Sequence, residues 1–341
     1  MARIHWKFLV PFITILMILL LLNIWLKAKN EKATVLHALP QDFTVPKLIL
    51  SLPATISYMN YQQVLPETTA AAILDLVRKG NVKKVEEGRF LLIHSNGLLE
   101  HERWLVEWLF DEISAKDEFT FDDITPYLQN KENHTKYVKM EWEWKQAIRK
   151  EVLSAGFYDK KVGFRLLLGF LSIAFIPLIV LFAIHGLNLF GVTMTVVALF
   201  LLVISVFYSP KTLDGVKTSI EWKNFQQKLQ HITQADWLKL TEDEKMRAFI
   251  YGLGKNDKII KKQNESFIKA FQAPSNQVNV YSFDPSWLII ATIASTNFRT
   301  ANETTTPSGS SGGTIGGGGS GKVVVEVDLE LFSWGLKGQK P

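Results

Sequence analysis

Two apolar runs dominate the pattern of the chain, Leu166–Ile184 and Leu189–Tyr208, with only His185-Gly186-Leu187-Asn188 between them. From 163 to 208 the only acidic or basic side chains are Arg165 and His185, at the edges of the runs. A membrane-crossing helix takes about 20 apolar residues at about 1.5 Å each. The stretch 163–208 therefore predicts a transmembrane hairpin whose flanks emerge on one side. A third run, 8–26, follows a short lead, 1–7, that carries Arg3 and Lys7. It is longer than a signal-peptide core, and Asn23-Ile24-Trp25-Leu26-Lys27 lacks a small-x-small cleavage pattern, so it predicts a retained transmembrane helix.

Residues 27–162 predict a mixed α+β domain. After a lead marked by Pro40, Pro46 and Pro53, expected to be extended, Pro66-Glu67 opens a helix with Ala70, Ile73, Leu74 and Val77 on one face, and Gly80 ends it. Val82–Val85 and Arg89–Ile93 predict two strands joined through Gly88. Helix followed by a two-stranded wing is the plan of a winged-helix-like unit. A second helix, Glu100–Ile113, aligns Trp104, Leu105, Trp108, Leu109 and Ile113; Phe119–Leu128 predicts a small helical segment. A long helix from Thr135 to Ala155 carries Tyr137, Met140, Trp144, Ile148 and Val152 as its buried stripe.

Residues 209–301 predict a helical region. Lys217–Ile232 places Trp222, Phe225, Leu229 and Ile232 on one face, and Thr241 with Glu244 forms a capping box before Met246, Phe249, Ile250 and Leu253. Lys255–Phe271 predicts another helix. Pro285–Ser295 is apolar but too short to span, so it predicts a packed or interfacial helix. Residues 302–321 turn to Thr, Ser, Pro and Gly and predict a disordered linker. The tail, 322–341, begins with Lys322–Phe332, where near-alternation predicts a terminal strand.

Charge sets the expected orientation. The turn at 185–188 has no Lys or Arg, whereas Lys160, Lys161 and Arg165 precede the hairpin and Lys211 and Lys217 follow it. The positive-inside rule then places both flanks in the cytoplasm. The net charge of +5 is small for 341 residues and is interleaved in sign, which makes no general case for nucleic acid. Cysteine is absent, which excludes disulfides, thiolate metal sites and thiol catalysis.

Candidate chemistry is sparse. Gly252-Leu253-Gly254-Lys255 has the wrong spacing for a phosphate loop and is expected to cap a helix. Glu100-His101-Glu102 lacks the second histidine of a zinc helix. No catalytic residues, cofactor or metal is expected, and the chain reads as a non-enzyme. The uncharged hairpin interior argues against transport by this chain alone. Arg78, Lys79, Lys83, Lys84 and Arg89 gather near the wing and are candidate contacts for anionic lipid or nucleic acid. Glu67 and Asp75, expected on the outward face of the adjoining helix, and Glu86-Glu87 at the wing tip would repel phosphate, which argues against nucleic acid.

One series of features supports a family resemblance. It runs from Leu52-Pro53-Ala54 through Ile73-Leu74-Asp75-Leu76, Lys79-Gly80-Asn81-Val82-Lys83, the Glu102 helix and Ser154-Ala155-Gly156-Phe157-Tyr158 before the hairpin. Gly215, Trp222-Lys223-Asn224-Phe225, Ala248-Phe249-Ile250-Tyr251-Gly252-Leu253-Gly254 and a Ser/Gly-rich end follow it. Over about residues 48–321 this order resembles the carboxy-terminal part of the YciQ-like predicted membrane proteins. The resemblance implies cytoplasmic soluble parts and brings no catalytic residues. Members typically carry a large extracytoplasmic domain before the first span, where this sequence has 1–7. The expectation is a multi-pass bacterial plasma-membrane protein, held by the lipid bilayer, whose cytoplasmic part is a scaffold or interaction module for a protein partner. The alternatives are a membrane-tethered winged-helix nucleic-acid regulator and an accessory subunit of a transport or export complex.

Overall fold

The structure is a computed structural model that describes residues 44–86, 88–255 and 286–306, together with Leu22, Leu26, Lys29, Asn30 and Ala33. Most of the expected first span at 8–26, the helix expected over Lys255–Phe271, and nearly all of the linker and terminal strand lie outside the described residues.

The first described helix, α1 (Leu52–Met59), replaces the extended lead expected around Pro53. Proline in the first turn gives up an N–H that has no partner there anyway. Ser51 caps the helix by accepting the Ala54 N–H, and Glu151 accepts both the Ser51 N–H, at 2.7 Å, and its hydroxyl, at 2.9 Å. Helix α2 (Pro66–Arg78) ends in a tight turn in which Gly80, at φ +80°, lets the Asn81 N–H return to the Leu76 carbonyl. Strands β1 (Val82–Glu86) and β2 (Arg89–Leu92) pair antiparallel as the sequence predicts. The small helical segment expected from Phe119 instead begins as strand β3 (Glu118–Thr120), which pairs with β2 so that Phe90 faces Phe119. Between them, α3 (Glu100–Val106) continues as a π-helix over Glu107–Ile113.

After β3 come a 3₁₀ turn (Phe121–Asp123), α4 (Ile124–Gln129) and the long α5 (Glu132–Ser154). Helices α6 (Val162–Ile184) and α7 (Asn188–Phe207) form the hairpin, close to the boundaries expected from hydropathy, and both are long and apolar enough to cross a membrane. Then follow α8 (Leu213–Leu229), a short α9 (Gln234–Lys239), α10 (Glu242–Gly254) with its Thr241–Glu244 capping box, and α11 (Ser286–Thr305).

The two flanks of the hairpin, expected as separate regions, build one hydrophobic core. Trp108 and Trp144 before the hairpin, and Trp222, Tyr251 and Phe298 after it, belong to the same buried cluster. Phe298 of α11 lies 5.8 Å from the Trp108 ring and 6.0 Å from Phe121. From Ser286 the expected apolar run is therefore part of a packed helix, which runs through Thr305 and past the expected linker boundary at 302. As expected, Gly252-Leu253-Gly254-Lys255 closes a helix: α10 ends at Gly254 and Lys255 is its C-cap. A Cβ at Gly254 would come within 2.5 Å of Ile56 Cδ1, so the glycine lets α10 press against α1.

Burial also reverses the expected outward face of α2. Glu67 and Asp75 are 2% and 1% exposed, and every residue from Glu67 to Val77 is buried. A buried carboxylate needs a partner. Glu67 receives Arg299 from α11 at 2.5 Å, and Asp75 pairs with Arg78 at 2.8 Å and Lys79 at 3.3 Å. The helix-then-hairpin order of the expected winged unit is present, but its helix is enclosed by the rest of the body.

Candidate functional site at the base of the hairpin

The cationic residues singled out in the sequence do not form one open patch. Arg78 is held between Asp75 and Asp243, the latter at 2.6 Å, and Lys79 bonds Glu102 and Asp75. Burial alone would lower both pKa values, but the adjoining carboxylates outweigh it and raise them. Arg89 pairs with Glu86 at 2.9 Å across the hairpin loop and approaches Glu118 at 3.8 Å. Lys83 is exposed on β1 and Lys84 is half-buried there. Arg78 and Lys79 thus join α2 to α10 and α3, whereas Arg89 ties the strands together.

A different set of residues converges where the hairpin meets the body. The chain entering α6 and the chain leaving α7 are stitched together: the Asp159 N–H donates to the Pro210 carbonyl at 2.8 Å, and the Thr212 N–H donates to the Phe157 carbonyl at 2.9 Å. Tyr158 and Lys211 form an antiparallel bridge, and the Thr212 hydroxyl donates to the Gly156 carbonyl at 2.9 Å. Gly215 is required here, because any Cβ would collide with the Phe157 backbone.

Behind this joint runs a relay of side chains. Lys211 Nζ donates to Ser219 Oγ at 2.5 Å, Ser219 donates to Tyr58 Oη at 2.9 Å, and Tyr58 donates to the Gly215 carbonyl at 2.7 Å. Burial pushes the Tyr58 pKa up to about 12, with a lowering contribution from the Ser219 bond and a raising one from Tyr158. The phenol therefore keeps its proton and acts as donor. With every donor directed onward, the relay fixes geometry and does not activate the serine as a nucleophile.

On the other side of α8 lies a cleft of about 680 Å³, between that helix, segment 44–49 and the Ala155–Phe157 turn. Its walls combine apolar Val45, Ile49 and Phe225 with charged Lys47, Lys217 and Glu221. Thr218, only 3% exposed, lines it too, and its hydroxyl has no hydrogen-bond partner among the described residues. Among the described residues no His, Asp and Glu cluster is placed to hold a metal ion. Tyr58 and Ser219 lie 161 positions apart, and no local pattern in the sequence pointed to them.

A family model described as the C-terminal domain of predicted membrane proteins (DUF2207) matches residues 32–251. The chain belongs to that family. No curated protein and no solved structure matches it. The DUF2207 match agrees with the sequence resemblance and takes in the hairpin, the stitched joint and the cleft. Helix α11 falls outside the matched span yet completes the core. As a DUF2207 protein the chain is a predicted membrane protein, mostly helical, with two candidate spans among its described residues.

Proposed function

We propose that this is a non-catalytic, multi-pass protein of the bacterial plasma membrane whose cytoplasmic body is a scaffold or interaction module for a protein partner. The observation that carries the reading is the single core built from both flanks of the hairpin. Two segments that fold together occupy one side of a bilayer, and the bare turn at 185–188 against Lys160, Lys161, Lys211 and Lys217 supports the cytoplasm as that side. The stitched joint adds rigidity, so the body is held at a fixed height and orientation.

Two rival roles are less well supported. A winged-helix nucleic-acid regulator would present a helix to a groove, but α2 is buried from Glu67 to Val77 and Arg78, Lys79 and Arg89 already face carboxylates. A subunit of a transport complex would need its polar pathway from another chain, because the two hairpin spans carry no acid or base other than Arg165 and His185 at their edges.

With no native cysteine, single cysteines at Asn188 and Asn130 test the topology cleanly. On intact cells an impermeant maleimide should label the first and spare the second; labelling of Asn130 alone would invert the orientation. Crosslinking in native membranes followed by mass spectrometry should recover a stable protein partner. Recovery of the chain alone would remove the scaffold role.

A further inference from the structure

The cleft along α8 sits where lipid headgroups must be. Spans of 23 and 20 residues match a hydrocarbon core about 30 Å thick, and the headgroup layers add about 5–8 Å on each side. Phe157 and Thr212 lie just outside the helix ends at Val162 and Phe207 and are hydrogen-bonded to each other, so the end of the cleft lined by Phe157 and Asp214 lies beside that layer. The inference rests on the hairpin lying in a bilayer.

Three features of the cleft narrow its ligand. Its apolar lining and the exposed Ile49 and Leu213, at 60% and 61%, suit an amphiphile better than a free ion. The unpartnered Thr218 hydroxyl offers one hydrogen bond from the floor. The charged lining is mixed: Lys47, Lys217 and Lys228 stand with Asp214 and Glu221, and Lys217 lies 4.0 Å from Glu221. A purely anionic headgroup would leave the carboxylates facing like charge, whereas a phosphate joined to an ammonium matches both signs.

We infer that the cleft holds the headgroup of an ethanolamine phospholipid of the surrounding membrane. Its phosphate is received by Lys47, Lys217 and the Thr218 hydroxyl, and its ammonium by Asp214 and Glu221. The site would fix the body against the bilayer and make its seating sensitive to headgroup composition.

The test uses the full chain in detergent, carrying an environment-sensitive label on a single cysteine at Asn224 in the cleft. It is titrated with dihexanoyl phosphatidylethanolamine, dihexanoyl phosphatidylglycerol or inorganic phosphate. A saturable response to the ethanolamine lipid is expected, at least about tenfold weaker for the glycerol lipid and absent with phosphate. Thr218→Val and Lys217→Gln should each weaken it with the circular dichroism unchanged. Equal responses to the two lipids, a response to phosphate alone, or indifference to both substitutions would overturn the inference. A parallel sample in liposomes, labelled at a cysteine introduced at Asn188, reports insertion. If the hairpin inserts and the cleft stays silent, only the lipid inference fails; if the hairpin does not insert, the membrane reading fails with it.

Discussion

The body and the hairpin solve opposite packing problems. In the body, large side chains such as Trp108, Trp144, Trp222 and Tyr251 are buried, and charged groups that enter the interior are matched by opposite charge. In the hairpin, Leu167, Phe170, Ile173, Leu189, Val192 and Phe207 face outward, while Ser172, Gly191 and Ala198 are buried between the helices together with Leu168, Phe182, Met194 and Leu201. Where the surroundings are as apolar as the side chains, burial gives little net drive, so the hairpin is held by close packing and hydrogen bonds. Arg165 illustrates the difference. It donates to the Ser205 carbonyl at 2.8 Å and the Val206 carbonyl at 2.6 Å, placing a cation at the C-terminal end of α7, where the helix dipole favours it.

Truncation of one aromatic ring on each side should show the contrast most strongly. Trp222→Ala empties a site enclosed by Phe225 and Tyr251 in the shared core and should cost about 3–5 kcal/mol. Phe200→Ala on the outward face of α7 should stay within about 0.5 kcal/mol. Thermal melts of both variants in one detergent would check this. Comparable losses would mean that Phe200 is covered by another chain.

A second contrast is electrostatic and confined to the body. Burial opposes ionisation of Glu151, but the His101 side chain, 3.1 Å away, and the Ser51 N–H and hydroxyl outweigh it and hold the pKa below the usual value of 4.5. A depressed carboxylate stabilises the fold fully above its unfolded pKa, and the contribution is lost as pH falls through the folded value. Stability should therefore decline below about pH 4.5. Glu151→Gln should cost about 1.5–3 kcal/mol at neutral pH and flatten that part of the profile. Unfolding followed by tryptophan fluorescence across pH 3–7 (roughly the range in which carboxylates titrate) would read both effects. Hairpin helicity should not respond, since α6 and α7 carry no acidic group.

How much of this was legible in the sequence follows the same division. The hairpin could be read almost to its ends, because length and uninterrupted apolarity are local properties that the bilayer rewards directly. Helices α2, α5 and α10 were legible from their periodicity and caps. Helix α1 was hidden because Pro53 reads as a breaker unless it falls in the first turn, and β3 because three residues carry no period. The inward turn of Glu67 could not be read at all: its partner Arg299 lies 232 positions away, beyond the hairpin. The joint and the cleft are likewise products of long-range pairing. The basic residues near the wing are neighbours in sequence, whereas Lys47 and Lys217 are brought to one cleft only by folding.

The joint offers a smaller effect that neither region shows alone. At Gly215 a Cβ meets the Phe157 backbone, while at Gly163, in the first turn of α6, it meets nothing within 4 Å. Gly215→Ala should cost about 1–3 kcal/mol through overpacking. Gly163→Ala should be neutral or stabilising by up to about 1 kcal/mol. Hydrogen exchange at Asp159 and Thr212, whose amides stitch the legs, should rise in the first variant only. Exchange rising equally in both would mean that the legs are not rigidly coupled to the body.

The smallest effect is the sharpest test of the contrast. The Ser172 hydroxyl donates to the Ala198 carbonyl at 2.8 Å, across the hairpin and out of contact with solvent. In a soluble core, loss of such a bond would strand a polar atom at about 1–3 kcal/mol. Here the Ala198 carbonyl keeps the acceptor role expected of it within its own helix, and a separated serine can find another carbonyl in α6. Hydrogen bonds between membrane helices accordingly contribute only about 0.6 kcal/mol on average. Ser172→Ala should therefore destabilise the hairpin by about 0.6 kcal/mol, measured by steric trapping of α6 and α7 in bicelles. A loss of 2 kcal/mol or more (roughly the soluble-core scale) would show that the hairpin has the body's kind of interior, with water as the reference for its polar groups, and the division drawn between the two regions would fall.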